Sequence, residues 1–142
     1  MRKKIINILL TVALVLTCSS CKLVDGINTP TTNGNNKTVR YVANMISSST
    51  YANPVITYTS GDGVISQVQE MNLNISLPLS VGLTATLAAS CTGSYNPASL
   101  NASASINLKI YVNDSLKTVA NDFQTDSLTT VTASATCSYK IK

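Results

Sequence analysis

The 142-residue chain carries ten Lys and Arg against six Asp and Glu, only 11% charged residues, no His, no Trp and a single Phe. Without histidine, the usual general base, the Ser-His and Cys-His nucleophile pairs and the commonest zinc ligand are all missing. The basic residues from Lys22 onward form no run that would neutralise a phosphate backbone, which excludes a nucleic-acid partner.

The chain opens with Met1-Arg2-Lys3-Lys4, a mostly apolar run from Ile5 to Leu16, and Thr17-Cys18-Ser19-Ser20-Cys21. A basic head, an apolar stretch and small residues ahead of a cysteine are the layout of a bacterial lipoprotein signal peptide. The run has about twelve apolar residues interrupted by Asn7, too few for the roughly twenty that span hydrocarbon. Residues 1–20 are therefore read as the signal, and Cys21 as the lipid attachment site that carries the chain to the membrane. The two serines before Cys21 favour it over Cys18. Cleavage removes Arg2, Lys3 and Lys4 and leaves seven basic against six acidic residues, a formal +1. Lys22-Leu23-Val24 lacks an acidic surface-export run, which points to the periplasm-facing leaflet of the outer membrane.

Residues 21–36 are rich in Thr, Asn, Gly and Pro, and Thr29 to Asn36 contains no apolar side chain. Such a segment buries nothing and reads as a flexible tether. Residues 37–142 suit one small domain with one core.

Within that domain, polar and apolar residues alternate with period two, the mark of half-buried antiparallel strands. Met71, Leu73, Ile75 and Leu77 form one inward set, and Val81, Leu83, Ala85, Leu87, Ala89 and Cys91 a second. Ile106, Leu108, Ile110 and Val112 form a third, and Val131, Ala133, Ala135, Cys137, Tyr139 and Ile141 a fourth. Weaker strands are expected at Thr38 to Met45, Pro54 to Thr59, Val64 to Glu70 and Leu116 to Ala120. Ser60-Gly61-Asp62-Gly63 and Asn113-Asp114 have hairpin-turn chemistry, and Pro78 is expected to separate two strands. No segment has a helical period. Seven or eight short strands in about a hundred residues predict an all-β fold, an immunoglobulin-like two-sheet antiparallel β-sandwich, with a small β-barrel as the runner-up.

Cys91 and Cys137 share the inward phase, and export to an oxidising compartment predicts that they form a disulfide. The alternative is two buried thiols packed as small hydrophobes. Asp62 and Glu70 are the one carboxylate pair that a glycosidase reading would use, but both lie in or beside a hairpin where carboxylates are solvated. Asp114, Asp122 and Asp126 fall in one connecting region and do not supply the six to eight oxygens that calcium takes. No metal, no cofactor and no catalytic residue is expected. Asp114-Ser115-Leu116 and Asp126-Ser127-Leu128 echo one another, and the tripeptide resembles the O-glycosylation acceptor of exported proteins in Bacteroides-type bacteria, which would place sugars on Ser115 and Ser127. Tyr51 and Tyr95 lie in expected loops and Tyr111 on an outward phase, the residues a weak glycan site would use; the alternative is tyrosines that cover sheet faces with their hydroxyls in water.

Val39-Arg40-Tyr41-Val42, Ile56-Thr57-Tyr58, Gly61-Asp62-Gly63, Leu77-Pro78-Leu79-Ser80, Ile110-Tyr111-Val112-Asn113-Asp114 and the late Cys137 follow one another in an order that resembles the MmpS-like family. That resemblance implies an exported immunoglobulin-like sandwich in a membrane-anchored protein that accompanies a transporter. The chain departs from the family at Leu79, where a Trp is common, and at Leu108, where the first cysteine is expected. A lipid on Cys21 would replace the family's membrane helix.

Together these features predict a non-catalytic envelope lipoprotein that acts as an accessory or interaction module for another envelope protein, through an exposed sheet face or by strand addition at an edge. The alternatives are a weak glycan-binding surface lipoprotein and a structural subunit of a surface fibre.

Overall fold

The computed structural model describes residues 35–142, in which eight strands follow one another and no helix occurs. They are β1 (Asn36–Ser47), β2 (Val55–Thr59), β3 (Ile65–Val68), β4 (Asn72–Ser80), β5 (Thr84–Gly93), β6 (Ala102–Val112), β7 (Ser115–Asp126) and β8 (Val131–Lys140). The expected β-sandwich is present as two four-stranded antiparallel sheets, ordered β4-β1-β6-β7 and β3-β2-β5-β8.

Two interlocked pairs carry the immunoglobulin-like character. β1 pairs with β4 in the first sheet and β2 with β5 in the second, the relation that strands B·E and C·F hold in an immunoglobulin domain. β8 then flanks β5 as strand G flanks F. The edge of β1 that the first immunoglobulin strand would occupy is taken here by β6, from the C-terminal half.

Alternation explains why these segments are strands. Along β6 every second residue from Ala102 to Val112 is buried, and along β5 every second residue from Ala85 to Gly93. These side chains meet those of β1, Val39, Tyr41, Ala43 and Met45, in one core between the sheets. Burying a Leu or Ile there contributes on the order of 2 kcal/mol each.

Two turns differ from expectation. Pro78 does not separate strands but lies inside β4, opposite Thr38. The chain turns after it, where Gly82 takes a φ of 95° that a side chain would resist. Proline is tolerated there because β4 is an edge strand, where one row of N–H groups needs no ladder partner. The Asn113-Asp114 turn forms as expected, both residues having positive φ (48° and 60°), the type I′ geometry that suits the twist of a hairpin.

The two sides of the sandwich are closed differently. On the β7–β8 side, Asp122 points inward from β7 and its Oδ2 accepts the Ser134 N–H at 2.8 Å. That bond, with a second from the Gln124 side chain, holds the Asp122 carboxyl below the usual carboxylate range. On the β3–β4 side the inward residues of β4, Leu73, Ile75 and Leu77, are only partly buried.

The core contains one unsatisfied polar atom among the described residues, the Tyr41 hydroxyl. It lies near Thr59, but Thr59 Oγ1 already donates to Thr84 O at 3.2 Å and accepts from Thr86 N at 3.0 Å, and no hydrogen bond to Tyr41 forms. Burial pushes the Tyr41 hydroxyl up from 10.0 to about 12, with Cys137 adding to it. The neutral form is the protonated one, so this contribution to stability is intact below the unfolded value near 10 and is lost as pH rises through about 12. Tyr41→Phe, which removes the orphan, is expected to raise stability by about 1 kcal/mol at neutral pH and to flatten the alkaline loss. Urea denaturation at pH 7 and above pH 10 measures both.

Candidate functional site

The described residues offer accessible chemistry at two places in the sandwich, a cluster of loops at one end and the free edge of β4.

The loop end is built from the segment between β1 and β2 and the one between β5 and β6. Ser47 and Ser48 tie it together. Ser47 Oγ donates to Thr92 O at 2.6 Å, Ser48 Oγ to Ser94 O at 2.7 Å, and Ser103 N to Ser48 Oγ at 2.8 Å. Asn53 and Leu100 turn the two loops with φ of 43° and 56°. This framework holds two neighbouring clefts of about 340 and 380 Å³ that share Thr50 and Tyr51. Tyr51 is 83% exposed and Tyr95, 43% exposed, lines the second cleft with it. Ser49, Ser94 and Asn96 line the same cleft.

Tyr111 is on the outward phase, as expected, but its ring is covered by the Arg40 guanidinium 4.0 Å from the centroid. That leaves Tyr51 and Tyr95 as the tyrosines brought together.

β4 and β7 are the edges of the first sheet, and β3 and β8 those of the second. Natural edges are blunted by charge, proline, bulges or short length. β3 is four residues long, β7 carries Lys117, Asp122, Asp126 and a register shift near Ile110/Tyr111, and β8 ends in Lys140 with its Ser134 N–H taken by Asp122. β4 runs for nine residues without a charged side chain, and its one guard is Pro78 near the end.

The predicted Cys91–Cys137 disulfide is corrected by the structure, in which both thiols are free and buried. Cys91 faces Ala133 and Cys137 faces Leu87 across the β5–β8 pair. The two cysteines thus lie four register positions apart, about 13 Å along the strands, beyond the roughly 7 Å Cα separation that a bridge tolerates. Their common inward phase is as expected. Burial raises both thiols above their ordinary value. Peptide mapping should find Cys91 and Cys137 each alkylated in denaturant without reductant, and neither alkylated quickly in the native protein.

The remaining sequence candidates are dispersed. Asp122 and Asp126 do not share a connection with Asp114: Asp114 is in the β6–β7 turn, Asp122 in mid-β7 and Asp126 at its end. Asp126 Oδ1 accepts from Leu128 N and Thr129 N, and this turn holds its carboxyl low. Asp62 is in the β2–β3 turn, bonded to Ser60, and Glu70 follows β3. Among the described residues no three metal-ligating side chains come together. Ser115 and Ser127 are both exposed, one opening β7 and the other in the turn after it. Cys18, Cys21 and the tether up to Gly34 lie outside the described residues.

No protein-family model matches the chain, and no curated protein matches it.

Proposed function

We propose that the chain is a non-catalytic envelope lipoprotein, held by lipid on Cys21 at the periplasm-facing leaflet of the outer membrane, whose sandwich binds another envelope protein by strand addition to β4. The observation that carries this reading is the nine-residue uncharged edge with Leu73, Ile75 and Leu77 half-covered behind it. An added strand would satisfy the free backbone groups of β4 and cover those side chains. Its occupant is therefore an extended, uncharged segment of the partner with apolar residues at every second position.

A photo-crosslinker at Asn74 in native membranes tests this. The expected adduct maps to alternate residues of one extended segment and disappears when Ser76→Lys is added, at unchanged thermal stability. Adducts spread over many proteins, or unaffected by Ser76→Lys, would sink the reading.

The Tyr51–Tyr95 cleft favours a second reading, a weak site for an uncharged saccharide, with the rings as stacking faces and Ser94 and Asn96 as polar partners. Binding on an oligosaccharide array should then be lost with Tyr51→Ala.

A further inference from the structure

Register across the first sheet places four asparagines in one row on its outer face. Asn72 of β4 is opposite Asn44 of β1, Asn44 is opposite Asn107 of β6, and Asn107 is opposite Asn121 of β7. Three inter-strand gaps make the row about 14 Å long. Asparagine is depleted in strands, so four in one row run against local preference. Each amide offers two donors and an acceptor oxygen with two lone pairs. Among the described residues one side-chain bond joins members of the row, from Asn107 Nδ2 to Asn121 Oδ1, and the other amide groups face water.

The rows on either side have opposite character. Toward the loop end, Ile46, Ser105 and Phe123 are in register, with Ile46 72% and Phe123 65% exposed as walls on either side of the small Ser105. On the other flank lies Lys109, opposite Val42 and Val119, with Arg40 diagonal to it across the β1–β6 pair. Such diagonal positions are about 7–8 Å apart, close enough for both cations to serve one anion. The outward positions of the four strands hold no carboxylate, since Asp122 and Asp126 fall on the inward phase of β7. Asp114 stands at the rim, its Oδ1 3.8 Å from Arg40 Nε.

We propose that this face binds an acidic polysaccharide lying along the asparagine row. Its hydroxyls exchange hydrogen bonds with the amides, its sugar rings rest against Phe123 and Ile46, and its carboxylates face Lys109 and Arg40. A neutral chain would leave Lys109 without a counter-charge, and a row of amides about 14 Å long suits the repeated ring hydroxyls of a polymer. The site is separate from the tyrosine cleft and meets the strand-addition edge only at Asn72, the end of the row on β4.

Affinity electrophoresis of the full mature chain through polygalacturonate and alginate tests the proposal, with fully methyl-esterified pectin, dextran sulfate and phosphatidylglycerol vesicles as the other arms. Expected is retention by a uronate polymer at least about tenfold stronger than by the ester, as charge-assisted bonds supply. Arg40→Ala with Lys109→Ala should remove about tenfold of it, and Tyr51→Ala none. Asn44→Thr with Asn107→Thr should weaken binding by a similar factor while leaving the melting temperature unchanged or higher, because Thr is the better strand former. Absence of binding to either uronate overturns the proposal. So do equal retention by dextran sulfate, stronger binding to the vesicles, or a fall in melting temperature of the Asn→Thr pair that accounts for its lost binding.

Discussion

Gly93→Ala is expected to prevent folding or to cost more than about 4 kcal/mol, among the largest effects available to one methyl group in this domain. A Cβ at Gly93 would lie 2.0 Å from Ser103 O and 2.5 Å from Ser103 C, both backbone atoms. The end of β5 and the start of β6 belong to opposite sheets, so this is the point where the two sheets touch backbone to backbone. Relief by shifting Ser103 is blocked, since Ser103 O accepts from Ser48 N at 2.9 Å and its N–H donates to Ser48 Oγ. The argument is steric, as Gly93 does not have positive φ. Urea denaturation of the variant measures it, and a loss below about 1 kcal/mol would mean that the close approach does not exist.

Leu108→Ala is expected to cost about 4 kcal/mol, in the upper part of the range for buried leucines. Leu108 is fully buried on β6, and its direct neighbours on β1 and β7 are Ala43 and Ala120. One large side chain therefore fills space that two small ones leave open. Truncation would produce three alanines in a row across the sheet, with the inward rows on either side already packed by Met45, Ile106, Tyr41 and Ile110. Leu108→Met, which keeps the volume, should cost less than about 1.5 kcal/mol. Both values come from chemical denaturation with unchanged slope. A Leu108→Ala loss under about 2 kcal/mol would show that the opposite sheet closes in.

The inward phase of β5, β6 and β8 was legible in residues such as Ala85, Leu108 and Ala133, because a period of two needs no knowledge of neighbours. The extent of β7 was not. Its inward positions Thr118, Ala120, Asp122 and Gln124 are mostly polar, so alternation fades after Ala120 although the strand continues to Asp126. Asp122 looked like a loop carboxylate and is instead the inward group that accepts from the Ser134 N–H and closes one side of the sandwich. Pro78 looked like a break because proline removes a donor, a loss that an edge strand tolerates.

The candidate sites show the same division. Tyr51 and Tyr95 were readable as loop tyrosines, but their shared cleft depends on two loops far apart in the chain. Asn72 and Asn107 occupied outward strand positions, Asn44 lay in a weaker strand and Asn121 fell just past the expected end of another, with nothing to connect them. Their alignment, like the separation of Cys91 from Cys137, is a consequence of register.

Local patterning alone determined that this chain folds into strands and which side of most strands is greasy, since those properties are set by the pleat of a few consecutive residues. Tertiary structure decided which strands are neighbours and how far each slides against the next. That choice is made by packing and hairpin geometry between distant segments, and a shift of two residues would preserve every inward face while dispersing the asparagine row.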